Sequence, residues 1–447
     1  MISNRNMPDR HVELVCDLTD PAKNRLYNMT VDEARERLAR GSSEDVRDID
    51  GSFALVAREG VTVRMARSLD RPLRYFLAKR VDGPMLVVAD RIDTIQGCLR
   101  ANGLDEQFQP SYTRMVPAHH IVEIRLVGCP DPEPTYMRFF TPSRNVLPDD
   151  PGEIGRRYVG AVALEIAKWL RSVPEDEPIG VCFSGGVDSG AVFLVTQHVL
   201  RSLGMSPSRL KAFTLSIRGG GDDLAQARLF LESLSLGMFL EPVEVDAEAL
   251  DSREAVRVVE DYKRLDVESA TMALALCRGI RERYPGWRYL VDGDGGDENL
   301  KDYPIEENSE LTIRSVLGNP LLYQEGWGVG TVKHSLTYSG GQSRSYTRTY
   351  APLARYGFEG FSPFTRPSVV EVAEGIPFVS LTDWRPDRLY SLKGEVVSRG
   401  VESLTGFRMP VFPKRRFQDG AADREIARAL RLTPESAYRA EFFSLYG

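Results

Sequence analysis

Two clusters of serine, glycine and aspartate carry the side chains that phosphate and metal chemistry needs. The first is Ser184-Gly185-Gly186-Val187-Asp188-Ser189. It follows an apolar run, Ile179 to Phe183, that reads as a buried strand, and precedes Gly190 to Val195, which reads as the start of a packed helix. A small, glycine-rich turn at that junction exposes backbone N–H groups at a helix N-terminus, where unsatisfied donors and the helix dipole favour phosphate. It is not a Walker A loop, because no Gly-Lys-Ser/Thr follows. The second cluster is Asp292-Gly293-Asp294-Gly295-Gly296-Asp297-Glu298, after Tyr289-Leu290-Val291. Its glycines let the backbone approach a ligand closely. Asp188 and Asp297 then stand at the ends of neighbouring strands. Two carboxylates facing a polyphosphate suit Mg2+, which takes few protein oxygens and completes its shell from phosphate. Each cluster also has a plain reading: a tight turn without a ligand for the first, an acidic surface turn held by Asx bonds for the second.

The elements that must position these clusters follow from the pattern around them. After a helix over Ile154 to Ser172, the strand at 179–183 leads into a helix from Ser189. A strand at Leu210 to Ile217 precedes Gly219-Gly220-Gly221 and a helix from Asp223, and further strands lie at Glu241 to Val245 and Tyr289 to Val291. Strands alternating with helices predict a parallel, doubly wound sheet, with ligands at the carboxyl ends of its strands. The first 145 residues differ. They read mostly as strands, at Gly51 to Ala57, Val61 to Ala66, Met85 to Ala89 and Ile121 to Arg125, with one helix near Met29 to Arg40 capped by Thr30. Proline- and acid-rich segments at Pro130 to Pro134 and Pro142 to Pro151 read as linkers. The expected division is a domain at 1–145 and a second at 150–447.

Composition narrows the class. A chain of 447 residues is too long for one core. The net charge of -7 and a pI near 5.5 argue against a nucleic-acid groove. No signal segment or bilayer-length run is seen, so a cytoplasmic protein without a membrane partner is expected. Cysteines 16, 98, 129, 182 and 277 are scattered and form no Cys-x-x-Cys pair, which fits a reducing compartment and offers no zinc site. His119 and His120 are adjacent and would point opposite ways on a strand.

Taken together, the motifs resemble the asparagine synthetase family of the ATP pyrophosphatase class. There the first motif is Ser-Gly-Gly-x-Asp-Ser and the second is close to Gly-Glu-Gly-Ser-Asp-Glu. Glu359-Gly360-Phe361-Ser362-Pro363-Phe364 resembles the family's Glu-x-Arg-x-Pro-Phe, and Lys414 to Gly420 resembles its Lys-x-x-Phe-x-Asp-Gly. In the first part, Asp50 to Ala54, Ser68-Leu69-Asp70-Arg71 with Leu73 and Tyr75, and Val87 to Asp90 resemble segments of its glutaminase domain. The resemblance implies an α/β protein. Its N-terminal part would be an Ntn-hydrolase-like, β-rich remnant domain, and its C-terminal part a doubly wound parallel-sheet ATP pyrophosphatase domain of the adenine nucleotide α-hydrolase-like kind. It also implies ATP and Mg2+. The backbone of Gly185 and Gly186 with the hydroxyls of Ser184 and Ser189 would hold pyrophosphate. Gly293 would lie against the nucleotide, and Leu215 and Ile217 would flank adenine. Asp188 and Asp297 would hold the metal, and Lys414 would neutralise charge between the α phosphate and the acyl oxygen.

Departures from the family refine the expectation. Glutamine-using members carry cysteine at position 2, where this chain has Ile2, and the family's glutamine-binding segments are missing. Cys16 is internal, so its amine cannot serve as the neighbouring base of an N-terminal nucleophile. The nitrogen would then come from ammonia or an amine substrate, as in β-lactam and carbapenam synthetases and lasso-peptide macrolactam synthetases, which this chain resembles in that respect. Asp294 sits where asparagine synthetase has glutamate and β-lactam synthetases tyrosine. A carboxylate there could take a proton from the attacking amine. Phe361 in place of arginine suggests either a changed substrate pocket or a packing role.

The expected activity is formation of an amide through an acyl-adenylate. The expected partners are small-molecule or peptide carboxylates and amines in specialised biosynthesis, and a homodimer is left open. Two rivals stay beside it. One is another enzyme of the same ATP class, such as a tRNA-thiolating enzyme, for which Cys182 should be too buried. The other is an inactive relative that only binds nucleotide.

Overall fold

Strand patterning and glycine placement build two units in the computed structural model. It describes residues 14–81, 83–125, 133–217, 221–302, 305, 312–318, 341–413, 420–421 and 433–447, of which 341–347 are described by backbone alone. The first unit comprises the described residues up to Thr141 together with 341–343 and Tyr446–Gly447, and the second holds the remainder. Gly219, Gly220, Cys129, Ile2 and Lys414 lie outside the described residues.

The first unit contains β1 (Leu14–Asp17), β2 (Arg25–Leu26), β3 (Gly51–Ser52), β4 (Ala54–Glu59), β5 (Thr62–Arg67), β6 (Arg74–Ala78), β7 (Met85–Ala89), β8 (Arg114–Met115), β9 (His120–Arg125) and β10 (Thr135–Arg138). Two four-stranded sheets form, in the orders β1-β7-β6-β8 and β10-β9-β5-β4, and β2 pairs with β3. Alternate residues of both sheets, among them Val56, Val63, Met65, Tyr75, Leu86, Val88, Val122 and Ile124, make one apolar cluster. Helix α1 (Val31–Arg40) packs on β4 and β5, α2 (Ser43–Arg47) follows it, and α3 (Ile92–Ala101) packs on β6 and β7. Thr30 caps α1 in a reciprocal capping box with Glu33, which satisfies two orphan donors of its first turn. The predicted strands fall where expected. Residues 68–73 form the turn between β5 and β6, and Tyr75 lies on β6 itself, a strand the sequence pattern did not single out. Both His119 and His120 are buried, and burial holds the His120 imidazole down at about 4, so it is a neutral core group.

Residues 141–150 have no regular structure, as the proline-rich composition predicted, and Asp150 caps α4 (Pro151–Arg171). The second unit then alternates strands and helices. These are β11 (Ile179–Cys182), α5 (Val187–Ser202), β12 (Leu210–Ile217), α6 (Asp223–Ser233), β13 (Leu240–Val245), α7 (Ser252–Val259), α8 (Arg264–Arg283), β14 (Tyr289–Val291) and α9 (Gly296–Leu300). Beyond them lie α10 (Ile313–Gly318), α11 (Gly341–Arg355), β15 (Glu359–Phe361), α12 (Pro367–Glu374), α13 (Phe378–Thr382), α14 (Pro386–Thr405) and α15 (Glu435–Ser444). The strands form a five-stranded sheet in the order β13-β12-β11-β14-β15, parallel throughout. Its strands are buried on both faces. Ile179, Val181, Ala212 and Val291 pack toward α4, α5 and α14, while Phe213, Leu215, Val243 and Leu290 pack toward α8. Strand order reverses between β11 and β14, and the crevice at such a switch point is where α/β sheets bind ligands. Both glycine–aspartate clusters leave the sheet there. Phe361 lies buried on β15 and stacks on Trp169, ring centroids 5.0 Å apart, so it has a packing role.

Candidate active site

The turn after β11 is shaped by its glycines. Gly185 has φ +73°, and a Cβ there would meet the Ala227 backbone at 3.0 Å. Gly186 caps α5 with no side-chain partner, leaving the first-turn N–H groups of a 16-residue helix directed outward. The hydroxyls of Ser184 and Ser189 lie 3.2 Å apart, and the Ser184 Oγ accepts the Gly186 N–H at 3.3 Å. Gln226 on α6 donates to the Ser184 carbonyl at 3.2 Å, fixing the turn from the side. The six residues thus make a short cradle of small donors at a helix N-terminus, which suits phosphate oxygens.

The loop after β14 is pressed against that cradle. A Cβ on Gly293 would meet the Asp188 Cβ at 3.1 Å, and one on Gly296 would fall on the Asp188 carboxylate itself. Gly295 takes φ +96° to start α9, whose first turn carries Asp297. The absence of side chains at 293 and 296 is therefore what brings Asp188 and Asp297 together.

A third residue closes the group. Lys393 of α14, only 4% exposed, donates to Asp188 Oδ2 at 2.6 Å, to Asp297 Oδ1, and lies 3.5 Å from Asp302 Oδ2. Burial alone would pull this ammonium down, but the charges of Asp188, Asp297 and Asp302 hold it well above the usual lysine range. The sequence reading missed Lys393 and Asp302. A signal existed: Lys393 falls in the apolar stripe of α14 with Leu389, Val396, Val397 and Val401, where a lone lysine requires a buried anion. The donor set also fits a divalent cation. Two carboxylates from adjacent strand ends converge on one point, and a positive group already sits between them.

Asp294 and Asp292 form a different arrangement. Asp292 Oδ1 accepts the Asp294 N–H at 3.0 Å and the Ser362 hydroxyl, while the outer oxygen of each carboxyl has no hydrogen-bond partner among the described residues. Burial pushes Asp292 up to about 7 against the pull of Ser362 and the Asp294 N–H. Burial and the Asp292 charge push Asp294 well above the carboxylate range, with Thr349 and Arg348 of α11 opposing. Both carboxyls of the pair therefore bind a proton more tightly than an ordinary carboxylate.

Leu215 and Ile217 are almost fully buried on the α8 face of β12. The Ile217 N–H donates to the Ala421 carbonyl at 3.3 Å, and a Cβ on Gly420 would fall on the Asp223 carboxylate. The end of the Lys414–Gly420 motif is thereby docked on the carboxyl end of β12, although Lys414 itself lies outside the described residues. Cys182 keeps part of its surface exposed, short of the burial expected for it, while Cys277 is buried. Burial raises both thiols far above their ordinary value, so neither is poised as a thiolate. Among the described residues, no group of three or more histidine, cysteine or acidic side chains has the geometry of a metal cage. No described helix is long and apolar enough to cross a membrane.

Residues 170–329 match the family model described as asparagine synthase. The matched stretch holds both motifs, Asp188, Asp294 and Asp297, and it supports membership of the asparagine synthetase family. That family comprises ATP-dependent carbon–nitrogen ligases, so the match supports ATP use and ligase chemistry. A curated relative, amidase chry2 of Gibberella zeae, is 29% identical across 29% of this chain and 20% of its own length. The chain spans about a fifth of that relative's length.

Proposed function

We propose that the chain adenylates a substrate carboxylate with ATP, releasing pyrophosphate, and joins the acyl group to an amine or ammonia without hydrolysing glutamine. The observation that carries this reading is the convergence of Asp188 and Asp297 beside the 184–189 cradle, with Lys393 between them. Residues 184–189 bind the pyrophosphate portion, and Asp188 and Asp297 are the ligands for Mg2+, which would neutralise phosphate charge when bound. Lys393 holds both carboxylates in register. Leu215 and Ile217 form the wall toward adenine, Gly293 leaves room for the nucleotide, and Lys414 supports the α phosphate. The carboxylate attacks the α phosphorus and pyrophosphate leaves. The amine then attacks the acyl carbon, AMP leaves, and Asp294 takes the proton released. The first unit is a scaffold of Ntn-hydrolase-like ancestry, layered as helix, sheet, sheet and helix, whose position 2 is isoleucine. Specialised biosynthesis in the cytoplasm is the setting that best suits an amine-using relative.

The test is product analysis. Incubation with Mg-ATP and candidate acids should give AMP and pyrophosphate, and acid-dependent exchange of labelled pyrophosphate into ATP. Formation of ADP and phosphate would overturn the reading. Glutamate release from glutamine should stay at the spontaneous rate.

A further inference from the structure

A cleft of about 340 Å³ opens beside the second unit's α8, lined by Lys263, Arg264, Leu265, Asp266, Arg348 and Glu435. That volume suits a small molecule. Three of the six lining residues are cations. They come from three segments: the α7–α8 turn, the start of α8, and α11. Arg348 donates to the buried Asp266 at 2.7 Å, so its guanidinium is held in place. The turn that carries Lys263 is held by its backbone N–H, which donates to Asp261 Oδ1 at 2.9 Å. The Glu435 carboxylate already rests on this surface. One oxygen accepts the Lys263 ammonium at 2.9 Å, and the other faces the Arg264 backbone N–H at 3.5 Å. Lys263 and Glu435 are each more than two-fifths exposed, and a pair of that kind contributes only about 0–1 kcal/mol, so an incoming anion can replace it at little cost.

Arg348 of α11 links the cleft to the position given to the nucleophile. It lines the cleft and its charge also acts on Asp294, and the neighbouring Thr349 hydroxyl bonds the Asp294 carboxyl. We infer that the nitrogen donor is an amine that also carries a carboxylate, such as an amino acid, with its amine at Asp294 and its carboxylate on Lys263, Arg264 and Arg348. This rests on the proposed amide-forming reading and goes beyond it by excluding plain ammonia as the preferred donor. A carboxylate-bearing donor matches both ends of the gap: a carboxyl of raised proton affinity at one end, and at the other three cations whose present partners, Glu435, Glu268 and Asp266, it would share or displace.

The experiment is a binding titration of the full chain in the presence of Mg2+ and AMP, by calorimetry. The probes are the common amino acids and their carboxamides, which keep the amine and lose the negative charge. At least one amino acid should bind about tenfold or more tighter than its carboxamide. The double variant Lys263→Gln, Arg264→Gln should abolish that preference without changing affinity for the carboxamide. Both side chains are half-exposed, so folding should survive, and thermal unfolding checks it. Absence of any carboxylate preference across the panel, through equal binding or through none, would overturn the inference. Failure of the amide-forming reading would look different: ADP in place of AMP in the product analysis, whatever the titration gives.

Discussion

One loop of this protein carries two groups of carboxyls that physics treats in opposite ways. Asp297 meets Asp188 and Asp302 around a buried ammonium, and all three are compensated. Buried Asp292 and half-buried Asp294, a few residues earlier, have hydroxyls and one backbone N–H as hydrogen-bond partners and are driven toward the neutral form. The first group keeps negative charge for a cation and a polyphosphate. The second keeps a proton site near neutrality, the range in which acid–base catalysis works. The contrast turns on one lysine, since α14 reaches the first group, whereas the charge of Arg348 acts on Asp294 without offsetting its burial.

Removing that lysine should produce the largest effect. Lys393→Met leaves three carboxylates facing each other without their cation. Breaking a buried ion pair from one side costs about 3–5 kcal/mol, and here the low end applies because Asp297 reaches solvent. Denaturant unfolding should show the loss, and Lys393→Met combined with Asp188→Asn should recover part of it. Equal stability of Lys393→Met and the parent would mean the three carboxylates are not coupled. Activity should fall by two orders of magnitude or more in Asp188→Asn, as for removal of a key electrostatic group.

Gly296→Ala is the next step down. Its Cβ would fall on the Asp188 carboxylate, so either the loop or the carboxylate must move. Overpacking of that kind costs about 1–3 kcal/mol. Pyrophosphate exchange should drop at least tenfold while unfolding shifts only modestly. Unchanged exchange would show that the close approach of the two loops is not needed for catalysis.

How much of this could be read from residues alone follows from the range of each signal. The cradle at 184–189 was legible because its pattern is local, a strand, small residues and a helix in one stretch. The pairing of Asp188 with Asp297 was legible because parallel sheets place strand ends side by side. Lys393 was not, because it reaches the site from a helix some two hundred residues away and is marked only by one charge in an apolar stripe. Phe361 was ambiguous for a related reason: its stacking partner, Trp169, comes from the first helix of the unit and nothing local announces it. The raised proton affinity of Asp294 was likewise hidden, since burial depends on α11 and on β15, which bring Thr349 and Ser362 to the pair.

Asp294→Asn should separate the half-reactions. It preserves size and removes the proton acceptor, so pyrophosphate exchange should continue while amide formation falls, by about a hundredfold if general-base catalysis is the main term. Both measured on one preparation decide the matter. Equal loss in the two assays would assign Asp294 to the nucleotide site with Asp297, and the contrast between the groups would collapse.

The smallest effect sharpens the same contrast through pH. Burial raises Asp292 to about 7 in the folded chain, from an ordinary value near 4 when unfolded. Between those limits the unfolded chain gives up a proton that the folded chain keeps. The folded state then binds more protons, and stability falls as pH rises through that window. The proton belongs to the Asp292–Asp294 pair jointly, so either substitution should act on it. Asp292→Asn removes one titrating group while keeping an acceptor for Ser362 and the Asp294 N–H. Its stability relative to the parent should therefore improve steadily from about pH 4 to about pH 7, read as a difference of a few degrees in Tm. Parallel pH profiles for Asp292→Asn and the parent would mean that the second carboxyl group is as well compensated as the first.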